Sequence, residues 1–551
     1  MSDNPSEHNP SEQLSPTKRA LLEIRKLRAQ LEAVEQARNE PIAIIGIGCR
    51  FPGEANDPDT FWHNLKHGVD CITDIPAERW DVDAYFDTDP NAAGKMYVRR
   101  GGFLRQVEQF DAQFFGITPR EAKGMDPQQR LLLEVSWEAL ERAGFAPDSL
   151  VGSQTGVFVG IMLNDYAQRY LHQHSQTAVD AYYATGTDIS FAAGRLSYIL
   201  GLQGPSMALN TVCSSSLVAV HLACQSLRSG ESNLALAGGV NVITSPEMFI
   251  SLSRMGALAP DGRSKTFDAA ADGYGRSEGC GMVVLKRLSD AQANGDPILA
   301  LIRGSAVNHD GPSGALTVPN GPAQQALIRR ALANAQVAPH EIDYVEAHGS
   351  GTPLGDPIEV KALNAVMSNG RSPDRPLMIG SVKTNIGHLE SGAGVAGLIK
   401  VVLSLQHQAV PPQLNLQEIN PAIGLEEMPV TIPQTLTPWL ANGRRRRAGV
   451  SSFGLSGINA HLVIEEAPAL EKAATATERP LQLLTLSAKS EAALKEQATR
   501  FARYLSARPD AAFADVCHTL ASARSHFEQR LSLVAATADE AAQQLDWLVQ
   551  G

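Results

Sequence analysis

The chain has 551 residues, 43% of them hydrophobic, 19% charged and 46 of them glycine; that is too long for one core, so two or more domains are expected. A net charge of −12 argues against nucleic acid as the main partner, and no apolar run reaches the length of a membrane span. The polar start MSDNPSEHNPSEQ is not a signal peptide, and the six cysteines (Cys49, Cys71, Cys213, Cys224, Cys280, Cys517) show neither a C-x-x-C pair nor disulfide-framework spacing. A reducing cytoplasm fits that usage.

Residues 1 to about 13 read as a disordered leader. Ser15-Pro16 then supplies an N-cap and a first-turn proline, and the following helix runs until Pro41. Within it Ala20, Ile24, Leu27, Leu31 and Val34 alternate spacings of four and three, the seam of a short coiled coil. Two heptads dimerise weakly alone, so a body that already dimerises is expected to carry them. The basic first half (Lys18, Arg19, Arg25, Lys26, Arg28) suits an acidic partner segment.

From Pro41 the run IAIIGIGCRFPG reads as a buried strand entering a Gly-rich loop, but it lacks the spacing and the acidic residue of a dinucleotide fingerprint. Strand-like and helical runs then alternate (TGVFVGI, LALAGGVNVI, GMVVLKRL, IDYVEAHG, LMIGSVKTN, AGLIKVVLSLQ, HLVIEEA), which argues an α/β architecture with chemistry on the connecting loops.

The stretch NTVCSSSLVAVH, Asn210 to His221, follows the strand-like GPSMALN and opens a helical apolar pattern, which puts Cys213 at a strand-to-helix turn. The helix dipole and free N–H groups there favour a thiolate, so Cys213 is a candidate nucleophile. A lone cysteine is more often a small core residue; two later motifs overturn that reading. EAHGSGTPLGDPIE (Glu346 to Glu359) and VKTNIGHLESGAGVAGLIK (Val382 to Lys400) set His348 and His388 in Gly-rich loops. A cysteine with two neutral imidazoles suits chemistry in which negative charge grows on a thioester carbonyl. Metal binding by the two histidines is disfavoured, since no HExxH or clustered ligand set accompanies them. The tight loop SSFGLSG can present backbone N–H groups to an oxyanion, and His461 after it reads as structural.

Together NTVCSSS, EAHGSGTPLGDPIE, VKTNIGHLE and GVSSFGLSGINAH resemble the ketosynthase domain of bacterial modular type I polyketide synthases, thiolase-like condensing enzymes. The resemblance runs from about Pro41 to Pro468 and is supported by Asp126 to Arg130 and by GRSKTFDAAADGYGRSEG. It implies three parts: an N-terminal docking segment with a coiled-coil helix (1–40), a ketosynthase body in two similar halves (41–468), and a small α/β ketosynthase-acyltransferase linker domain (469–551). The implied body is a five-layer αβαβα sandwich, and members are homodimers.

The implied activity is that of an acyltransferase of the 3-oxoacyl-[acyl-carrier-protein] synthase type. Cys213 would accept an acyl chain from an upstream acyl carrier protein. His348 and His388 would promote decarboxylative Claisen condensation with a malonyl-type extender on a downstream carrier protein. The backbone N–H groups of Cys213 and Phe453 would form the oxyanion hole. Lys383 and Glu359 match a charged pair that orders the histidine loops, and Ser350 and Thr352 match the hydroxyls that touch the pantetheine arm. No cofactor or metal would be bound, the substrates riding on carrier-protein phosphopantetheine, and an acyltransferase domain would be a further partner. Asn210 and Ser350 stand where the family usually has Asp and Thr; both swaps keep hydrogen-bonding capacity. Cys213 is not replaced by Gln, as it is in loading modules that only decarboxylate. No acyltransferase serine motif or carrier domain follows, so the chain is expected to be excised from a longer synthase or to work with separate partners.

A thiolase would bring a second catalytic cysteine near the C-terminus, and a Cys/His hydrolase would not need the second histidine motif. A gatekeeper that only passes the acyl chain commonly lacks the histidine of EAHG, and His348 is present. Asp148-Ser149-Leu150, like a phosphopantetheine attachment site, is expected to be a turn. Arg444 to Arg447 reads as a solvated basic loop that could also meet an acidic carrier protein.

Overall fold

The computed structural model describes residues 16–173, 179–372, 374–441, 443–469 and 479–550. The expected leader and Ser15 lie outside the described residues. Helix α1 (Pro16–Asn39) begins at the proline expected in its first turn and ends just before Pro41. Its seam residues Ile24 and Leu27 are about half exposed at 48% and 55%; the side chains of Leu31 and Val34 lie outside the described set.

The body repeats one topology twice. The first half comprises β1 (Ile42–Arg50), β2 (Thr155–Gly160), β3 (Ser206–Leu209), β4 (Leu234–Asn241) and β5 (Gly279–Arg287), ordered β3-β2-β4-β5-β1. The second comprises β6 (Ala300–His309), β7 (Tyr344–Glu346), β8 (Leu377–Gly380), β10 (Arg447–Phe453) and β11 (Ile458–Glu466), ordered β8-β7-β10-β11-β6, with β9 (Val430–Thr431) added outside β8. In both halves the fifth strand runs antiparallel to its two neighbours, while the second strand runs parallel to the third and fourth. Internal duplication, which periodicity does not reveal, is therefore plain in the strand order. The halves join where Ile42 to Ile44 pair antiparallel with Ala300 to Ile302.

Five layers follow from where apolar residues go. Helices α2 (Pro127–Arg142) and α3 (Phe191–Leu200) cover the outside of the first sheet, and α5 (Gly321–Ala335) and α6 (Gly355–Met367) the outside of the second. Between the sheets lie α4 (Ser215–Ser229) and α7 (Ala393–Gln406), which touch strands of both halves. Every residue of α7 from Ala393 to Leu405 is buried, as expected for a helix with sheet on both sides. Strands buried on both faces read as continuous apolar runs rather than alternations, and β1 is buried from Ile42 to Cys49. The glycines of its IAIIGIG run serve packing: a Cβ on Gly46 or Gly48 would sit 2.5 Å from the carbonyl oxygens of Ala139 or Val135 in α2.

Residues 479–550 form a separate small core. Strands β12 (Gln482–Ala488) and β13 (Gln529–Ala535) pair antiparallel, and α8 (Glu491–Ala507), α9 (Phe513–Ser522) and α10 (Ala538–Gln550) pack against them. The unit meets the body through rings: Phe527 stacks on Trp137 at 6.3 Å and edges Phe114 at 5.5 Å, with the Lys489 ammonium over both phenylalanines. Asp148-Ser149-Leu150 is a 3-10 turn whose Asp148 carboxylate accepts from Ser525 Oγ at 2.6 Å, so it helps seat this unit. The run Arg444 to Arg447 is not a free basic loop. Its four guanidiniums pair in turn with Asp343, Glu465, Glu466 and Glu341, and Arg446 is buried. That correction removes the excess positive charge which made the run attractive as a carrier surface.

Candidate active site

The nucleophile turn is knitted from its own polar side chains. Asn210 Oδ1 accepts the Val212 N–H at 3.0 Å, and Ser215 Oγ accepts the Thr211 N–H at 2.8 Å while donating to the Val212 carbonyl. These bonds hold Val212 at φ +57°, in the left-handed region that a β-branched residue otherwise avoids at a cost of roughly 1–3 kcal/mol. The turn ends at Ser214, and α4 begins at Ser215. From the other half, Ser452 Oγ donates to the Cys213 carbonyl at 2.8 Å, and the Leu455 N–H is directed at the Cys213 sulfur. Ser216 Oγ accepts the Val395 N–H at 3.1 Å, which ties the start of α4 to the start of α7.

The two histidines meet beside this turn, with ring centroids 5.3 Å apart and planes at 79°. His348 follows β7, and its backbone is gripped from both sides. Glu359 on α6 accepts the N–H groups of His348 and Gly349 at 2.8 Å each, and Lys383 Nζ donates to the His348 carbonyl at 2.5 Å. Gly349 has φ +40°, and a Cβ there would stand 2.7 Å from Thr266 and 2.9 Å from Ser381, so the loop needs glycine. His388 is pinned by main chain: its N–H donates to Gly275 O at 2.7 Å, and its carbonyl accepts the Ser277 N–H at 2.9 Å. A backbone N–H can only donate, so the bond from Glu390 N–H to His388 Nδ1 at 2.9 Å leaves that ring's proton on Nε2. The longer bond from Phe453 N–H to His348 Nδ1 at 3.3 Å does the same for His348.

Electrostatics decides the protonation states. Burial first, then the nearby Lys383 ammonium, holds both imidazoles well below the usual histidine range, so both are neutral. Burial also pushes the Cys213 thiol up to about 12, with Glu390 adding to the rise and the Leu455 N–H and Lys383 opposing it. The expected resting thiolate is thereby corrected to a thiol, because enclosure by the second half outweighs the helix terminus. Lys383 and Glu359, expected as a charged pair that orders the histidine loops, both bond the His348 peptide. No contact between them within 4 Å occurs among the described residues, and they act together through the His348 peptide. Burial pushes the Glu359 carboxyl up and lowers the Lys383 ammonium, while each charge favours the other.

Ser350 and Thr352 lie on the loop from His348 to α6, with hydroxyl oxygens 3.4 Å apart; Ser350 is buried and Thr352 half-buried. Phe453 N–H, expected at an oxyanion, is turned toward His348 Nδ1 here. His461 is fully buried within β11, with Ser451 Oγ 2.9 Å from its Nδ1. Among the described residues no group of three or more His, Cys, Asp or Glu could hold a metal, and no helix is long and apolar enough to cross a membrane. Sequence reasoning missed Leu455, Tyr274, whose ring lies 5.0 Å from His388, and the buried Arg276–Glu390 pair. The motif GYGRSEG was noted, but nothing in it says which carboxylate Arg276 meets.

Comparison with known proteins identifies the family. The families described as beta-ketoacyl synthase, N-terminal and C-terminal domains, match residues 39–291 and 299–417, and CurL-like, PKS C-terminal, matches 482–545. The chain is 51% identical over 94% of its length to a phenolphthiocerol/phthiocerol polyketide synthase of Mycobacterium tuberculosis, and 46% identical over 100% of its length to polyketide synthase GfsB of Streptomyces halstedii. It spans only 24% and 10% of those two proteins. Among solved structures it is similar to the oxazolomycin ketosynthase domain OzmH KS7 of Streptomyces albus JA3453, with 39% identity, 93% of this chain and 89% of that one covered, and a TM-score of 0.87. For the module 6 ketosynthase of the bacillaene synthase from Bacillus subtilis 168 the identity is 38%, the coverage 93% of this chain and 85% of that one, and the TM-score 0.83. With its doubled sheet, its central cysteine turn and these relatives, the chain belongs to the beta-ketoacyl synthase family, among the ketosynthases of modular polyketide synthases.

Proposed function

We propose that this ketosynthase elongates a polyketide chain. The Cys213 sulfur attacks the acyl thioester on an upstream carrier protein; the new thioester forms as the carrier's thiol leaves with the proton from Cys213. A malonyl-type extender on a downstream carrier then loses carbon dioxide. The resulting enolate attacks the acyl-Cys213 carbonyl, and Cys213 is expelled and reprotonated, leaving a β-ketoacyl carrier protein. The observation that carries this reading is the pair of neutral imidazoles, each with its proton on Nε2, beside one buried cysteine. Neutral N–H donors stabilise an enolate without protonating it.

His348 and His388 are assigned to decarboxylation and enolate stabilisation, and Lys383 and Glu359 to holding His348. The N–H groups of Cys213 and Phe453 receive the oxyanion; the 3.3 Å bond from Phe453 to His348 is the weak contact that an incoming oxygen replaces. Ser350 and Thr352 meet the pantetheine arm. The chain works as a homodimer with carrier proteins and an acyltransferase in the cytoplasm, where its six unpaired cysteines stay reduced. The free edge strand β3, with Met207 exposed, and the exposed Ile24 and Leu27 of α1 suit pairing with a second copy. Residues 1–40 dock the upstream partner, and 469–551 link to the acyltransferase.

Intact-protein mass spectrometry tests the reading. The chain is mixed with an acyl thioester and then with malonyl carrier protein, beside Cys213→Ala and His348→Ala. An adduct on Cys213 that disappears as β-ketoacyl carrier protein forms is the expected result. An adduct that persists through the second step, with no product, would mean a gatekeeper that only transfers the chain.

A further inference from the structure

Beside His388 lies a buried charge pair whose side chains hydrogen-bond each other and, among the described residues, neither Cys213 nor the His388 ring. Arg276 Nε and Nη2 donate to the two carboxylate oxygens of Glu390 at 2.6 and 3.0 Å, and the two residues are 0% and 2% exposed. The Phe249 ring faces the guanidinium at 4.6 Å. Replacing a buried ion pair by apolar side chains of similar volume is often neutral or stabilising, so stability alone does not explain one at this depth.

Its backbone neighbours do. Arg276 sits between Gly275 and Ser277, the two residues whose main chain brackets His388. Glu390 supplies the N–H that meets His388 Nδ1, and it does so from φ +49°, a conformation that a non-glycine residue rarely adopts. The pair thus joins the segment that grips the His388 peptide to the residue that sets its ring. We propose that Arg276 and Glu390 are positioning residues: their bidentate contact holds Glu390 in its left-handed conformation, and so fixes His388 as an Nε2–H donor aimed at the reacting carbonyl. This rests on the role given to His388 above, but the state of the ring can be read without any turnover.

The test uses the full chain labelled with 15N-histidine, as wild type, as Glu390→Gln, and as the double variant Arg276→Met/Glu390→Leu, which removes both charges together. Wild type should show His388 as a single Nε2–H tautomer. The double variant should show a mixture with the Nδ1–H form and a fall of about 100-fold in kcat for malonyl-carrier decarboxylation, with KM and the rate of Cys213 acylation within threefold of wild type. Glu390→Gln, which keeps one acceptor oxygen, should fall in between, and it carries the test if the double variant does not fold. Unchanged tautomer and kcat in a folded variant would overturn the proposal. So would equal losses in acylation and decarboxylation, which would mark the pair as general scaffolding. A changed tautomer with undiminished decarboxylation would leave the positioning role standing and instead refute the role assigned to His388.

Discussion

Replacing Gly454 by alanine puts a Cβ 2.4 Å from the Thr211 carbonyl oxygen and 3.1 Å from Ser214 Oγ. A carbon needs ~3.3 Å from such an oxygen, so the SSFGLSG loop must retreat from the nucleophile turn by about 0.9 Å. If the retreat runs along the Ser452 to Cys213 bond, its 2.8 Å length grows past hydrogen-bonding range. The Leu455 and Phe453 N–H groups move with it. Displacing reacting groups by about 1 Å costs about 100-fold in rate, close to the loss of one oxyanion donor. The expected result for Gly454→Ala is a fall of about 100-fold in condensation kcat, or about 3 kcal/mol in the barrier, with a loss of ~1–3 kcal/mol in stability from overpacking. Turnover of acyl-Cys213 with malonyl carrier protein, followed by mass, reads the first quantity and urea unfolding the second. Gly194→Ala is the control: it lies in α3 with nothing within 4 Å of the added Cβ, and should keep full activity while gaining about 0.5–1 kcal/mol. A folded Gly454→Ala enzyme within threefold of wild-type kcat would refute the claim that this close approach sets the site.

Because burial pushes the Cys213 thiol up to about 12, carbamidomethylation should quicken about tenfold per pH unit from pH 7 to 9 without levelling; a plateau with a midpoint near 7 would restore the thiolate. His461 is held down to about 4 by burial, below an unfolded value of ~6.5, so the unfolded chain takes its proton first as pH falls. Its stabilisation is whole above pH 6.5 and about 2 kcal/mol of it is gone at pH 5. In His461→Gln the loss measured between pH 7 and 5 should be smaller by that amount, and equal losses would place the acid sensitivity elsewhere. Phe527→Ala removes the ring stacked on Trp137 and under Lys489, and should raise hydrogen exchange in β12 and β13 while β1 to β8 stay protected.

Local chemistry was legible in the sequence and long-range enclosure was not. Cys213 could be placed at its turn because the strand-to-helix change and the Asn210 and Ser215 side chains act within five residues of it. Whether it rests as thiol or thiolate depends on its burial and on Glu390, Leu455 and Lys383, all far away in the chain, and no local pattern reports them. The partners of Arg444 to Arg447 were hidden too: Glu465 and Glu466 face them across the β10–β11 pairing, and Glu341 and Asp343 sit just before β7, about a hundred residues earlier. Lys383 and Glu359 were identified through the resemblance, yet their joint grip on the His348 peptide needed coordinates. The duplication was implied by the resemblance alone and not by periodicity, because a shared strand order tolerates any sequence that keeps each strand buried.

That duplication explains why the chemistry sits where it does. In each half the third strand is followed by a central helix, α4 after β3 and α7 after β8, and Cys213 and His388 occupy the turns that lead into those two helices. Two positive helix ends therefore approach one another at the site, joined by Ser216 and Val395. Each is worth about 0.3–1 kcal/mol to a nearby anion, and up to ~2 when partly buried. Raising the thiol from its ordinary value to about 12 corresponds to about 4 kcal/mol. Two helix ends at the exposed value recover at most about half of that, so burial favours the protonated nucleophile until a thioester arrives. Once charge passes to a carbonyl oxygen, the same burial that suppressed the thiolate strengthens every N–H aimed at it. A doubled fold thus brings both helix ends to the place where negative charge exists only during reaction.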